Sequence, residues 1–269
     1  MSDLPVTVII PTFRDGEALA RALSSIAGQT RPPAEVIVID DAGEDPALEA
    51  VVARAGLANL RILRLSRNIG PGGARNAGIA AARQPFLAFL DADDEWRREK
   101  LERQMALMLA PDAPVFSAHL KAFNGARWPD EQAAGAAEPI GRWRLLLSNP
   151  ASISTVVVRR DAVCRLFPEW HAAEDYFFVA ANLLTGLSNL KLNQILARAD
   201  KPAFGAGGLS GRLLAMQLGE MRAHFHLWRT DAISLPEYLL LVPWTLLKLV
   251  RRLTLVTLRR LWPEHRTPV

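Results

Sequence analysis

Four nearly unbroken apolar runs, each ending in a polar cluster, constrain this chain more than any other feature. They are Val6–Ile10, Glu35–Asp40, Leu60–Leu65 and Pro85–Asp91, all within the first 95 of 269 residues. Runs this apolar and this rich in Val and Ile predict strands buried on both faces of a sheet. Helical periodicity separates them. Leu19, Leu23 and Ile26 recur at spacings of four and three, Leu48, Val51 and Val52 repeat the pattern, and Ala74–Ala82 is alanine-rich. Strand–helix–strand alternation of this kind closes into a mostly parallel sheet with right-handed crossovers. A further helix is expected over Arg97–Leu109, with Leu101, Met105 and Met108 on one face, ended by Pro111 and Pro114. The pattern then thins. Val115–Ala118 and Ile153–Val158 read as strands, Asn124–Gly141 as a loop and Asp175–Leu187 as a helix. No internal repeat is visible in the sequence.

In such a sheet, ligands bind outside the carboxyl ends of the strands. The four endings are therefore informative as a set: Pro11-Thr12, Asp40-Asp41, the run SRNIGPGG that contains Asn68, and Asp91-Ala92-Asp93-Asp94. Taken singly, each reads equally as a turn. Asp40-Asp41 could cap the helix near Pro46, or one carboxylate could brace the loop while the other meets a nucleotide. Gly70, Gly72 and Gly73 precede a helix, where free N–H groups and the dipole favour an anion. Arg75 sits in that helix's first turn, where the dipole disfavours a cation, so it needs an acid or phosphate partner. Three carboxylates within LDADD repel one another unless a cation neutralises them, and Asp-x-Asp suits a hard divalent ion such as Mg²⁺. Asp93 or Asp94 could also cap the helix at Arg97.

The strings VTVIIPTFRDGEALARALSSIAGQT, VIVIDDAGED, NIGPGGARNAGIAAA and FLAFLDADDEW, with HAAEDYFFVAANLLTG further on, resemble the family-2 inverting glycosyltransferases of the A-type fold. The resemblance covers roughly residues 5–110 and resumes at the Glu-Asp pair, Glu174-Asp175. It implies an α/β fold with a mostly parallel, Rossmann-like central sheet flanked by helices. It further implies a hexosyltransferase-type enzyme that uses a nucleotide-diphosphate sugar, with Mg²⁺ or Mn²⁺, in cell-surface polysaccharide or glycolipid synthesis. By the same resemblance Pro11 and Thr12 line the base pocket through their backbone. Asp41 contacts the base while Asp40 supports the loop, and Asn68 and Arg75 lie near the nucleotide. Asp93 holds the metal with help from Asp91, Asp94 lies near ribose or donor sugar, and Asp175 is the general base. Arg14 and the glycine-rich Phe204–Gly211 depart from the pattern, which touches the acceptor side and leaves the donor side intact.

Residues 1–110 would thus form the nucleotide-sugar half and 111–234 the acceptor half, the acceptor being a sugar or a lipid-linked sugar. A nucleotidyltransferase would show a basic, glycine-rich loop after the first strand, whereas PTFRDGEA has one glycine and no lysine. A non-catalytic sugar- or nucleotide-binding module would be expected to lack the acids, and Asp91, Asp93 and Asp175 are present.

Residues 235–269 read as an appended helix. The net charge of +4 gathers there, with Lys248, Arg251, Arg252, Arg259, Arg260 and Arg266 against Glu264. Leu246, Leu249, Val250, Leu253 and Val256 form one stripe, and Lys248, Arg252 and Arg259 another. The stretch before the paired arginines is short of the roughly 20 apolar residues that a membrane span needs. A basic amphipathic helix instead suits an anionic membrane surface, or packs on the catalytic domain with its arginines solvated. The acid in MSDLPVTVII argues against an export signal, and the single Cys164, read as a small core residue, fits a reducing compartment. The expected place is the cytoplasm, at the inner face of the membrane. Trp96, Trp128, Trp143 and Trp170 read as loop or core residues, and His171, His224 and His226 show no metal-ligand spacing. No partner role with nucleic acid is expected.

Overall fold

The computed structural model describes residues 3–123, 126–129, 135–199 and 209–261. In chain order the elements are β1 (Leu4–Thr12), α1 (Gly16–Ala27), β2 (Pro33–Asp40), α2 (Leu48–Arg54), β3 (Leu60–Arg64), α3 (Gly70–Ala81), β4 (Phe86–Phe89), β5 (Asp94–Trp96) and α4 (Lys100–Met108). There follow β6 (Phe116–Ala122), β7 (Ala137–Glu138), α5 (Arg142–Leu147), β8 (Val157–Arg159), α6 (Glu174–Leu183), β9 (Asn189–Ala199), α7 (Leu209–Arg229) and α8 (Leu235–Leu261).

One nine-stranded sheet runs through both halves, in the order β3-β2-β1-β4-β8-β6-β9-β5, with β7 paired to β9. β3, β2, β1 and β4 are parallel, and β4 then meets β8 antiparallel. The two-residue period of β1 sorts its side chains between two cores. Val6, Val8 and Ile10 join Leu19, Leu23 and Ile26 of α1 and Leu101 and Met105 of α4 on one face. Ile9 faces the other way, toward Phe89, Phe116, Phe167 and Phe178. Each such Ile or Leu, fully buried, stabilises the fold by about 1.5–3 kcal/mol relative to exposure.

Beyond residue 90 several expectations change. The run LDADDEW does not cap a helix: Asp94 opens β5, and α4 begins only at Lys100 with no side-chain cap. Ile153–Val158 is not a strand throughout, since Ile153–Thr155 is a 3-10 turn and β8 starts at Val157. The expected loop over 124–141 carries β7, with residues 124–125 and 130–134 outside the described residues. The sequence reading contained no strand at β9, whose NLKLNQILARA mixes polar and apolar residues because it pairs with β5, β6 and β7. Nor did it contain α5 or α7. Cys164 is exposed rather than buried, 3.4 Å from Asn182 Oδ1, because it lies in the loop between β8 and α6.

α8 begins after the 234/235 boundary and packs on α7 and α5. Leu241 and Thr245 are fully buried, and Trp244 Nε1 donates to Leu147 O at 2.9 Å. Lys248 and Arg252 do not form a solvated basic face. Both turn inward to Glu220 on α7, while Leu239, Leu246, Leu247, Val250 and Leu253 are 47–59% exposed. The side chains of Val256, Arg259 and Arg260, and all of Arg266, lie outside the described residues, as do residues 204–208 of the glycine-rich stretch. Among the described residues no helix is long and apolar enough to cross a membrane.

Candidate active site

The carboxyl ends of β1, β2 and β4 and the head of α3 enclose a cavity of about 360 Å³. Its walls include every residue expected on the donor side except Asp94: Pro11, Thr12, Asp41, Asn68, Arg75, Asp91 and Asp93. The reason is topological, since parallel neighbours place their carboxyl ends on one edge of the sheet.

The Asp40-Asp41 pair is built into that edge. Asp40 Oδ1 accepts from Gly43 N at 2.8 Å, so Asp40 braces its own loop as expected. Asp41 braces too: its Oδ1 and Oδ2 accept from Ile69 N and Gly70 N, both at 2.8 Å. Two charge-assisted bonds of this kind stabilise by roughly 1.5–3 kcal/mol each. They pin the head of α3 against β2, and Asn68 Oδ1 adds a 3.2 Å bond to the same Gly70 N. Gly70 has φ +77, and a Cβ there would sit 2.6 Å from His171 Nδ1, so both backbone and space demand glycine.

Arg75 has found acid partners. It is buried, and its Nη2 donates to Asp91 Oδ1 at 2.6 Å while Nη1 donates to Glu174 Oε1 at 3.1 Å. Its guanidinium also lies 5.3 Å from the centre of the Phe167 ring. Burial opposes its charge, and the carboxylates of Asp91 and Glu174 outweigh that cost and raise its pKa further. Burial likewise opposes ionisation of Asp91, but Arg75 and then Lys121 prevail and keep it anionic. Asp94 lies deeper, 1% exposed, bonded by Ser154 Oγ and Lys121 Nζ. Burial and the neighbouring Asp91 push its pKa up to about 6, against the pull of Lys121 and Ser154. Oxygens of Asp91, Asp93 and Asp94 lie within 4.8 Å of one another, a hard all-oxygen donor set that fits Mg²⁺ or Mn²⁺. Within that set Asp94 is held by protein partners, and Asp91 and Asp93 face the cavity.

Asp175 opens into a second cavity of about 520 Å³, between the start of α6, the end of α5, α7 and α8. Asn149 Nδ2 donates to Asp175 Oδ2 at 3.2 Å. Burial raises the carboxyl's pKa, with Arg75 opposing. Ala173, directly before the Glu-Asp pair, is left-handed at φ +60, strain of about 1–3 kcal/mol at the turn that aims Glu174 and Asp175. Glu174 points to Arg75 and Asp175 to the second cavity, so one dipeptide serves both sites.

Sequence reasoning missed four participants. His171 lines the first cavity from the far half of the chain, and its position four residues before Asp175 was the available signal. Lys121, Ser154 and Asn149 come from separate elements without a motif, so local pattern could not reveal them.

A sequence model described as Glycosyl transferase family 2 matches residues 7–166, more than half of the chain. The succinoglycan biosynthesis protein ExoO of Rhizobium meliloti is 41% identical over 110 residues, covering 41% of this chain and 31% of ExoO. The Escherichia coli UDP-Glc:alpha-D-GlcNAc-diphosphoundecaprenol beta-1,3-glucosyltransferase WfgD is 33% identical over 40% of this chain and 43% of its own. The chain thus spans about a third to two fifths of such relatives. The Staphylococcus aureus TarS 1–349 structure in complex with UDP-GlcNAc superposes with a TM-score of 0.68 at 22% identity, covering 84% of this chain and 67% of that one. A Pyrobaculum calidifontis mannosyltransferase in complex with GDP-Man and Mn²⁺ gives 0.60 at 17% identity, covering 98% and 89%. These structures share the A-type glycosyltransferase fold. With its strand-end carboxylates on one edge of that fold, the chain belongs to glycosyl transferase family 2.

Proposed function

We propose that this chain transfers a sugar from a nucleotide-diphosphate donor to an acceptor hydroxyl with inversion, in bacterial cell-surface polysaccharide or glycolipid synthesis. One observation carries the reading: Asp91, which with Asp93 lines the first cavity, is tied through Arg75 to Glu174, the residue directly before the Asp175 that lines the second. The first suits the donor, the second the acceptor. Pro11, Thr12, Asp41 and Asn68 form the nucleoside end, and Asp91 and Asp93 the end that would hold the metal. An ion held by Asp91 and Asp93 would supply positive charge against the diphosphate.

In the reaction the acceptor oxygen forms a bond to the donor's anomeric carbon from the face opposite the diphosphate. The bond from that carbon to the diphosphate oxygen breaks, and its electron pair leaves with the nucleotide. The acceptor's hydroxyl proton passes to Asp175, whose raised pKa makes it a stronger base than a solvated carboxylate. Asn149 orients that carboxylate, and Arg75 keeps the Glu-Asp turn registered on the donor side.

The outward leucines of α8 support a second part of the proposal, attachment to a membrane surface at its inner, cytoplasmic face. With Lys248 and Arg252 turned inward, apolar contact carries more of this attachment than charge does. Full-length protein should sediment with liposomes and Leu246→Glu/Val250→Glu should not; equal sedimentation removes the membrane part.

The catalytic part is tested by release of nucleotide diphosphate from a panel of nucleotide sugars, with and without Mn²⁺ or Mg²⁺. Metal-dependent turnover of at least one donor is expected, falling by about 10²–10³-fold in Asp93→Ala. Turnover unaffected by chelation, or intact in Asp93→Ala, overturns the metal assignment.

A further inference from the structure

A single residue from the second half of the chain, Ser154, grips the run LDADDEW at three points. Its Oγ accepts from Asp91 N at 3.2 Å and donates to Asp94 Oδ2, and its carbonyl O accepts from Trp96 Nε1 at 2.8 Å. The serine is fully buried in the 3-10 turn Ile153–Thr155. That turn is itself fastened. Thr155 N donates to Ser152 O at 2.8 Å, Val156 N to Ile153 O at 3.0 Å, and Gln104 Nε2 of α4 to Thr155 O at 3.0 Å. Ile153 and Thr155 are buried on either side, so the turn has little room to shift.

Asp93 stands between the two acids that Ser154 grips. Asp91, Asp93 and Asp94 each offer an oxygen within 4.8 Å of the others, a spacing at which like charges repel. Unbraced carboxylates would spread apart, and drawing them back together would weaken the binding of an ion. A hydroxyl that fixes the backbone at Asp91 and one carboxylate oxygen of Asp94 removes much of that motion in advance. Lys121 of β6 bonds the same Asp94 oxygen, so charge comes from the lysine and geometry from the serine. Resting on the transferase reading and its divalent ion, we propose that Ser154 is a positioning residue for that ion. Its hydroxyl arranges Asp91 and Asp94 on either side of Asp93 before the ion arrives.

The test is titration of the full chain with Mn²⁺, with and without UDP, the free ion being measured by its electron paramagnetic resonance signal. Ser154→Ala should weaken Mn²⁺ binding by about 10–100-fold, the usual effect of removing an outer partner of a metal ligand. In nucleotide-sugar turnover the variant should need correspondingly more Mn²⁺ for half-maximal rate, with kcat at saturating Mn²⁺ largely kept. Ser154→Cys, close in size but a weaker donor, should fall between the two, and it supplies the comparison if Ser154→Ala does not fold. Val51→Ala, which loosens the buried face of α2 away from the site, should leave Mn²⁺ affinity unchanged. Wild-type affinity in Ser154→Ala overturns the proposal, as does wild-type affinity in Ser154→Cys if only that variant folds. An equal loss in Val51→Ala overturns it too, because lowered stability alone would then explain the effect. No saturable Mn²⁺ binding by the wild type removes the metal reading and this inference with it, so the two failures are distinguishable.

Discussion

The two cavities are built in different ways. The donor-side cavity is lined chiefly by residues that directly follow β1, β2 and β4 or open α3, so adjacent strands carry its walls to one edge. The acceptor-side cavity draws on Phe123 just after β6, the end of α5, the start of α6, and the long helices α7 and α8. A strand-edge site is robust because the sheet positions it. A site gathered from separate helices depends on single long-range bonds, such as Asn149 to Asp175 and Lys248 to Glu220.

Replacing Asp175 by Asn should break the comparison most sharply. Transfer should fall by about 10²–10⁴-fold while affinity for the nucleotide diphosphate holds, because the carboxylate belongs to the second cavity. Steady-state kinetics with a separate binding measurement decides it; lost donor affinity with normal turnover would place Asp175 in the donor site.

Arg75 is where the two sites touch. Arg75→Met leaves Asp91 and Glu174 without their shared cation, and removing one partner of a buried pair costs about 3–5 kcal/mol. Urea denaturation should show that loss, with Arg75→Lys recovering part of it. A variant as stable as the wild type would mean that the sites are joined by packing alone.

Acid should loosen the acceptor side first. His224 on α7 is buried, its Nε2 is 2.9 Å from Tyr176 Oη, and burial, partly offset by Glu220, lowers its pKa from 6.5 to about 4. Between pH 6.5 and 4 the unfolded chain binds a proton that the folded one refuses, so stability falls as the pH drops through this window. The full effect is about 3 kcal/mol by linkage. His224→Gln should flatten the difference between denaturation at pH 7.5 and at pH 4.5; an unchanged difference assigns the acid sensitivity elsewhere.

The smallest effect concerns the start of α8. Arg142 grips Glu237 through two bonds of 2.8 and 3.0 Å, and Ser234 N donates to Glu237 Oε2 at 2.7 Å. The Arg142 bond, against some desolvation, depresses the Glu237 pKa to about 2. Its contribution is therefore present above about pH 4.5 and is lost as the pH falls toward 2. Arg142 is half-exposed, so Glu237→Gln should cost no more than about 1 kcal/mol at pH 7. Melting curves of the two proteins should converge only near pH 2.

Much of the donor side is legible from local pattern. Leu19, Leu23 and Ile26, and Leu101, Met105 and Met108, are buried as their spacing predicts. The acceptor side is not, for a specific reason: β9 alternates imperfectly because its partners differ along its length, so its residues do not share one environment. The start of α8 does carry a readable signal, the capping box Ser234-x-x-Glu237.

By itself the sequence determined which faces are buried and which residues follow each strand, because those depend on a period of two or 3.6 and on chain order. Parallel pairing then places the carboxylates on one edge with no further information. Only the tertiary structure decided that Arg75 answers Glu174 across 99 residues, that Asp175 lines the second cavity, and that Lys248 and Arg252 turn inward. Those facts depend on how helices of the second half dock. A helical wheel gives the angle between two side chains, but not which of the two angles the neighbouring helix will cover.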